Sequence, residues 1–123
     1  MNFKLIVVIV LLVLLLGGGI YESIYVSKTL GKLNEQIDDI IAMGEPYSAD
    51  KIKDIIEWWQ GKSNILAMTV SHTPLTEVTF TLNELLGTVE AEDYKSSTAI
   101  LYKLVGFVDS LKESYSFSAN HII

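Results

Sequence analysis

Residues 4–43 read KLIVVIVLLVLLLGGGIYESIYVSKTLGKLNEQIDDIIAM, and two successive patterns within them decide the fold. The first is an unbroken run of Leu, Ile and Val over residues 5–16, with no charge before Glu22. At 1.5 Å per residue, the uncharged stretch 5–21 covers about 25 Å, slightly short of a ~30 Å hydrocarbon core. Tyr21 and Tyr25 extend it, because tyrosine favours the headgroup level. A helix buried in a soluble core is rarely apolar on every side. The second pattern begins where the first ends. Val26, Leu30, Leu33, Ile37 and Ile40 recur at spacings of four and three, a heptad-like stripe on one helix face.

The first pattern predicts a transmembrane signal anchor over residues 1–22, and the second starts a helical body over residues 23–123. A cleaved secretory signal is the competing reading, with Lys4 before the apolar run and Gly17, Gly18 and Gly19 as small residues after it. Retention is favoured, because signal-peptidase sites prefer alanine to a glycine triplet and the run continues toward a periodic helix. Lys4 and the amino terminus place the N-terminal end on the cytoplasmic side and the body outside, while Lys28 and Lys32 oppose this weakly.

Outward along the chain, Gly44 and Pro46 stop the first helix. Ser48 is the expected N-cap of a second helix, with Asp50 in its first turn and Ile52, Ile55, Ile56, Trp59, Leu66 and Val70 on its stripe. That helix is expected to end near His72, with Thr73 and Pro74 opening a third. The third carries Leu75, Val78, Leu82, Leu85 and Val89, and threonines at 76, 79 and 81 that lower its helical propensity. Residues 90–93 form a turn into a fourth helix, with Tyr94, Leu101, Leu104, Val108 and Leu111 on its stripe, and residues 114–123 are read as a short tail. Four amphipathic segments with short connections predict an all-α protein: a membrane helix running into an antiparallel up-down bundle. Helix parity puts the turns at 44–48 and 90–93 at the far tip, and the turn at 72–74 and the tail near the bilayer.

Composition excludes several classes of function. The chain has nine lysines, no arginine and fifteen carboxylates, for a net charge of −6. Nucleic-acid binding, which rests on Lys and Arg contacts to phosphate, is not expected. No cysteine is present, so disulfides, thiolate metal sites and a cysteine nucleophile are ruled out. No nucleophile elbow, phosphate loop or paired-carboxylate signature stands out; Ser48 and Lys51 match S-x-x-K in letters only, and capping explains Ser48 better. Neither enzyme activity nor a cofactor is expected.

Three polar or aromatic features remain. The acidic tip of Asp38, Asp39, Glu45, Asp50, Glu90, Glu92 and Asp93 is read as capping and solvated charge in preference to a Ca²⁺ or Mg²⁺ site, since no EF-hand loop is present. His72 and His121, the only histidines, are a thin candidate pair near the membrane; His72 is expected to satisfy carbonyls at a helix end. Trp58 and Trp59 point about 100° apart on one helix, so Trp59 fits the core stripe and Trp58 falls to its flank, as a bundle edge or a partner contact.

A single N-terminal span, Trp59, His72, a leucine-rich third helix and the closing Phe117-x-x-Asn120-x-Ile122 resemble a bacterial family over essentially the whole chain. It is the domain-of-unknown-function family numbered four-three-six-three, from low-GC Gram-positive bacteria. The resemblance implies a small membrane-anchored helical protein of the cell membrane that accompanies other membrane proteins, and it brings no catalytic residues. His72 and Asn120 would be its recognisable polar positions. The functional expectation is a single-pass, extracytoplasmic interaction module whose partners are the bilayer and another membrane protein or a second copy. A ligand-sensing bundle, or a secreted helical protein if the segment is cleaved, is the alternative.

Overall fold

The computed structural model describes residues 2–67 and 72–122; the side chains at 19, 20, 22, 23, 72 and 115–122 lie outside the description. Four helices make up these residues: α1 (Phe3–Met43), α2 (Ala49–Leu66), α3 (His72–Glu90) and α4 (Tyr94–Ile122). The chain is all-α. Helices adjacent in sequence pack side by side and α1 also packs along α4, while the backbones of the diagonal pairs α1/α3 and α2/α4 stay more than 8 Å apart among the described residues. This closed ring is the antiparallel up-down bundle that the short connections require. Antiparallel register along the α1/α4 seam is visible in its cross-links: Gly31 faces Lys112, Asn34 bonds Asp109, and Tyr47 reaches Thr98.

The core is the set of stripes read from the sequence. Val26, Leu30, Leu33, Ile37 and Ile40 of α1 are all buried. They meet Ile52, Ile55, Ile56, Trp59 and Leu66 of α2, and Leu75, Val78, Leu82, Leu85 and Val89 of α3. From α4, Ile100, Leu101, Leu104 and Val108 are buried, with Tyr94 and Leu111 half-buried against them. Val70 lies outside the described residues.

The helix ends are set by local chemistry. Gly44 closes α1 at φ 70°, a backbone that disfavours any Cβ, and its N–H donates to the carbonyls of Ile40 and Ile41. Ser48 caps α2 by accepting from the Lys51 N–H. The α3/α4 turn uses one residue twice. The Asp93 N–H reaches back to the Thr88 carbonyl and the Glu92 N–H to that of Val89, a Schellman closure of α3. Asp93 then caps α4 through its carboxylate on the Ser96 N–H. Glu92 sits between them at φ 58°, in the left-handed region. The two turns at this end, hereafter distal, meet: Tyr47 bonds Thr98 through its hydroxyl at 2.6 Å and packs edge-on against Tyr94.

Three boundaries differ from the sequence reading. α2 ends at Leu66, well before residue 72, so His72 opens α3 instead of closing α2. The positive end of a helix dipole disfavours an imidazolium there, which removes the expected dipole argument for His72. Pro74 falls in the first turn of α3, at its third residue, where its missing N–H costs nothing. Residues 114–122 are not a separate tail but the last turns of α4, because no proline or glycine follows Gly106 to end it.

α1 is longer than the bundle. It runs unbroken through Gly17, Gly18 and Gly19, and its described side chains are first buried at Val26. From Leu5 to Leu16 every side chain is exposed, between 41% at Val7 and 73% at Leu15. Among the described residues no helix is long and apolar enough to cross a membrane. The described apolar stretch, residues 3–18, spans about 24 Å against a ~30 Å hydrocarbon core. The expected span over residues 1–22 is therefore not seen as such; an exposed apolar rod projecting from the basal end of a bundle is.

Glu92 gives a test of the distal turn. A non-glycine residue in the left-handed region costs roughly 1 kcal/mol, so Glu92→Gly should stabilise the bundle by about 0.5–1 kcal/mol, raising Tm by a few degrees. A lower Tm for the variant in a thermal melt would contradict this account of the turn.

Candidate functional site

Trp59 is the largest fully buried side chain of the bundle. Its indole N–H donates to the Thr79 hydroxyl at 3.0 Å, and that hydroxyl in turn donates to the Leu75 carbonyl. Thr79 is one of the threonines that weaken α3 by propensity, yet here it satisfies a buried donor that would otherwise be costly. Trp58 is half-buried against the core edge, with the Lys32 ammonium of α1 6.0 Å from its ring centroid. It closes the α1/α2 seam.

The α1/α2 seam is bridged in an unusual way. Lys32 lies over Trp58, Lys62 of α2 lies 6.0 Å over the Tyr25 ring of α1, and the Lys51 ammonium sits 3.2 Å from the Met43 sulfur. Each bridge joins a lysine to a soft, uncharged acceptor. The one ion pair among the described residues, Lys53 with Glu90 at 3.8 Å, is exposed and lies elsewhere. Exposed pairs of this kind contribute little.

The α1/α4 seam holds the buried polar residue that the sequence reading missed. Asn34 is 8% exposed, and its amide donates to the Asp109 carboxylate at 2.6 Å and more weakly to the Val105 carbonyl. Its amide oxygen has no hydrogen-bond partner among the described residues. Turning the amide over would set that oxygen against the carboxylate, so the observed orientation is the favourable one. Ser97, fully buried, bridges Thr88 and the Asp93 carbonyl. Thr29 and Thr81 bond carbonyls one turn back in their own helices. All four were hidden in the sequence because short polar residues beside a stripe look like its solvated flank.

The remaining candidate features do not converge. The side chains of His72 and His121 lie outside the described residues. Among the described residues, no three His, Cys, Asp or Glu side chains gather where a metal could sit. The acidic tip is spread over the two distal turns, with Glu45 contacting Thr98 and Asp93 capping α4. Two open grooves are present, neither of them interior. One of about 200 Å³ lies between α1 and α2, lined by Gln36, Asp39, Lys51 and Asp54 over Ile40 and Ile55. The other, of about 180 Å³, lies between α2 and α3, lined by Ser63, Asn64 and Thr76 beside Thr79.

Comparison with known proteins adds no relative: no family model matches the chain, and no curated protein or solved structure is significantly similar to it.

The two tryptophans should separate on truncation. Trp59→Ala is expected to cost about 3–5 kcal/mol and Trp58→Ala about half as much or less. Thr79→Val, which orphans the indole N–H, should cost about 1–3 kcal/mol. Equal losses at positions 58 and 59 in urea unfolding would place Trp58 in the core. At the α1/α4 seam, Asp109→Ala strands the Asn34 amide and should destabilise by about 1–2 kcal/mol, whereas Asn34→Leu is expected to be neutral or stabilising. A large loss for Asn34→Leu would mean that the orphaned oxygen has a role in the fold.

Proposed function

We propose that this protein is a membrane-anchored helical interaction module, with residues 1–22 as anchor and residues 23–123 as the presented body. The observation that carries it is the rod of exposed Leu, Ile and Val continuing without a break into the first bundle helix. Covering twelve such side chains is worth on the order of 10–20 kcal/mol. That matches or exceeds the 5–15 kcal/mol that typically holds a domain together. A surface of that cost does not stay in water. Its all-round character fits lipid better than a groove on a partner, which would leave one side polar.

The length is compatible with this reading. Beyond Gly18 the sequence continues uncharged through Gly19, Ile20 and Tyr21, and a bilayer thins by a few Å at fractions of a kcal/mol per Å. Lys4 lies near one end of the segment and Tyr21 and Tyr25 near the other, where a long amine and amphipathic rings are accommodated. In this reading Lys4 keeps the N-terminal end cytoplasmic and the body stands outside. Among its described residues the body shows no convergent polar constellation, and its two described grooves are open. Presentation of a surface to another membrane protein or to a second copy is the role that these features leave. The resemblance to the domain-of-unknown-function family, whose members look like companions of membrane proteins, points the same way.

Replacing Val10 and Leu11 together by lysine puts two charges mid-segment, at about 2.5–3.5 kcal/mol each. The wild-type protein should stay in the membrane pellet through alkaline carbonate extraction, and the double variant should be extracted. Extraction of the wild type would refute the anchor. External protease should digest the body in intact cells; protection would reverse the orientation.

A further inference from the structure

The seam between α1 and α2 carries a reversal of charge along its length. Toward the distal end, Asp39 and Asp54 outnumber Lys51 around its groove. Toward the basal end the acids give way to lysines and aromatic rings. Tyr21, Tyr25, Lys28 and Lys32 follow at spacings of four, three and four, so they occupy a strip roughly 60° wide on α1. Trp58, Lys62 and Ile65 repeat the spacing on α2. The two strips are one surface, because Lys32 lies over Trp58 and Lys62 over Tyr25. Tyr21 is 70% exposed and Ile65 51%. None of Lys28, Lys32 and Lys62 forms an ion pair among the described residues. Between residues 21 and 32 the sequence holds a single carboxylate, Glu22, in a chain that is otherwise strongly acidic.

We propose that this basal α1/α2 surface docks on anionic lipid headgroups, so that the body leans on the bilayer along one defined side. The inference rests on the anchor reading, since the strip begins where the apolar rod ends on the same helix. Its chemistry fits an anionic lipid surface: lysines meet phosphate, while tyrosine and tryptophan rings occupy the polar-apolar boundary. The acidic distal half of the seam is repelled by the same surface, which fixes the direction of lean. Gly17, Gly18 and Gly19 lie between rod and strip, where a helix bends most readily. Gly61 lies beside Lys62 with open space where a side chain would go, leaving that part of the face flat.

The cysteine-free chain makes the test direct. Gly61→Cys carries an environment-sensitive fluorophore on the full-length protein, and Gly87→Cys, equally open but on α3, is the control. Both are reconstituted in vesicles of phosphatidylcholine alone or with about 30 mol% phosphatidylglycerol, with a headgroup spin label as quencher. The position-61 probe should be quenched at least about twofold more in the anionic vesicles. About 1 M salt, where the Debye length is roughly 3 Å, should abolish the difference. Lys28→Glu with Lys62→Glu should abolish it too, and the position-87 probe should show none. Equal quenching in both lipids overturns the proposal. Burial of position 61 from an aqueous thiol reagent in native membranes, but in no lipid vesicle, would assign the face to a protein partner and also overturn it. Vesicle flotation of the same samples separates the two readings: failure to float defeats the anchor itself, whereas flotation without charge-dependent quenching defeats only the docking.

Discussion

Everything in this structure is referred to one helix that does not stop. α1 runs from Phe3 to Met43 through a change of character near residue 21 that would end most helices. Its first half is apolar on all sides and exposed on all sides, and its second half is apolar on one stripe and buried there. Gly17, Gly18 and Gly19 cost roughly 1 kcal/mol each relative to alanine, and no proline is present before Pro46 to turn that weakness into a break. Because the rod is continuous, the bundle is not joined to the apolar segment by a linker. The segment is the bundle's own first helix, and its direction and rotation are inherited by the body.

The bundle's asymmetry follows from how α1 is held. α4 covers α1 extensively, as expected when a 29-residue helix lies antiparallel along a longer one. α2 covers it thinly, and that seam is closed by lysines over rings and sulfur where apolar side chains might have interdigitated. Polar pairs at the better-packed seams have a different effect. Asn34 to Asp109 and Trp59 to Thr79 each join two helices at one height, so a slip of either pair would strand a buried donor. Apolar stripes with a seven-residue repeat tolerate such slips; buried polar pairs do not. The distal turns add a second constraint of this kind, since Tyr47 ties the end of α1 to the start of α4.

Periodicity made the apolar half of this arrangement legible from sequence. Each stripe residue assigned to α1 and α3 is buried, and Gly44 and Ser48 act as the stop and cap that their residue types suggest. The polar half was not legible, for a physical reason. Asn34 follows Leu33 and Ser97 lies between the stripe's Tyr94 and Leu101, so each reads as flank until the neighbouring helix is placed against it. Thr79 was counted against α3 for its propensity, although its hydroxyl completes the site of the largest fully buried side chain. Helix lengths failed where no capping residue spoke. α4 reaches Ile122 because nothing in residues 107–122 interrupts it, and α2 ends at Leu66 without a glycine or proline to announce it.

The order of chemistries along α1 supports the anchored reading proposed above. From the N-terminal end come an amine, an apolar rod, Tyr21 and Tyr25 with Glu22 between them, Lys28 and Lys32, and then carboxylates. The buried donors of Asn34, Trp59 and Ser97 are spent on a carboxylate, on a hydroxyl and on a backbone carbonyl. Along α1 itself the exposed charge changes from Lys28 and Lys32 near the rod to Glu35, Asp38 and Asp39 toward the distal turns. Gradation of that kind has no use in a freely tumbling bundle, where every face meets the same solvent. It has a use when one end is held against a surface and the other is held away, which is the situation that an apolar first half of α1 creates once it is covered.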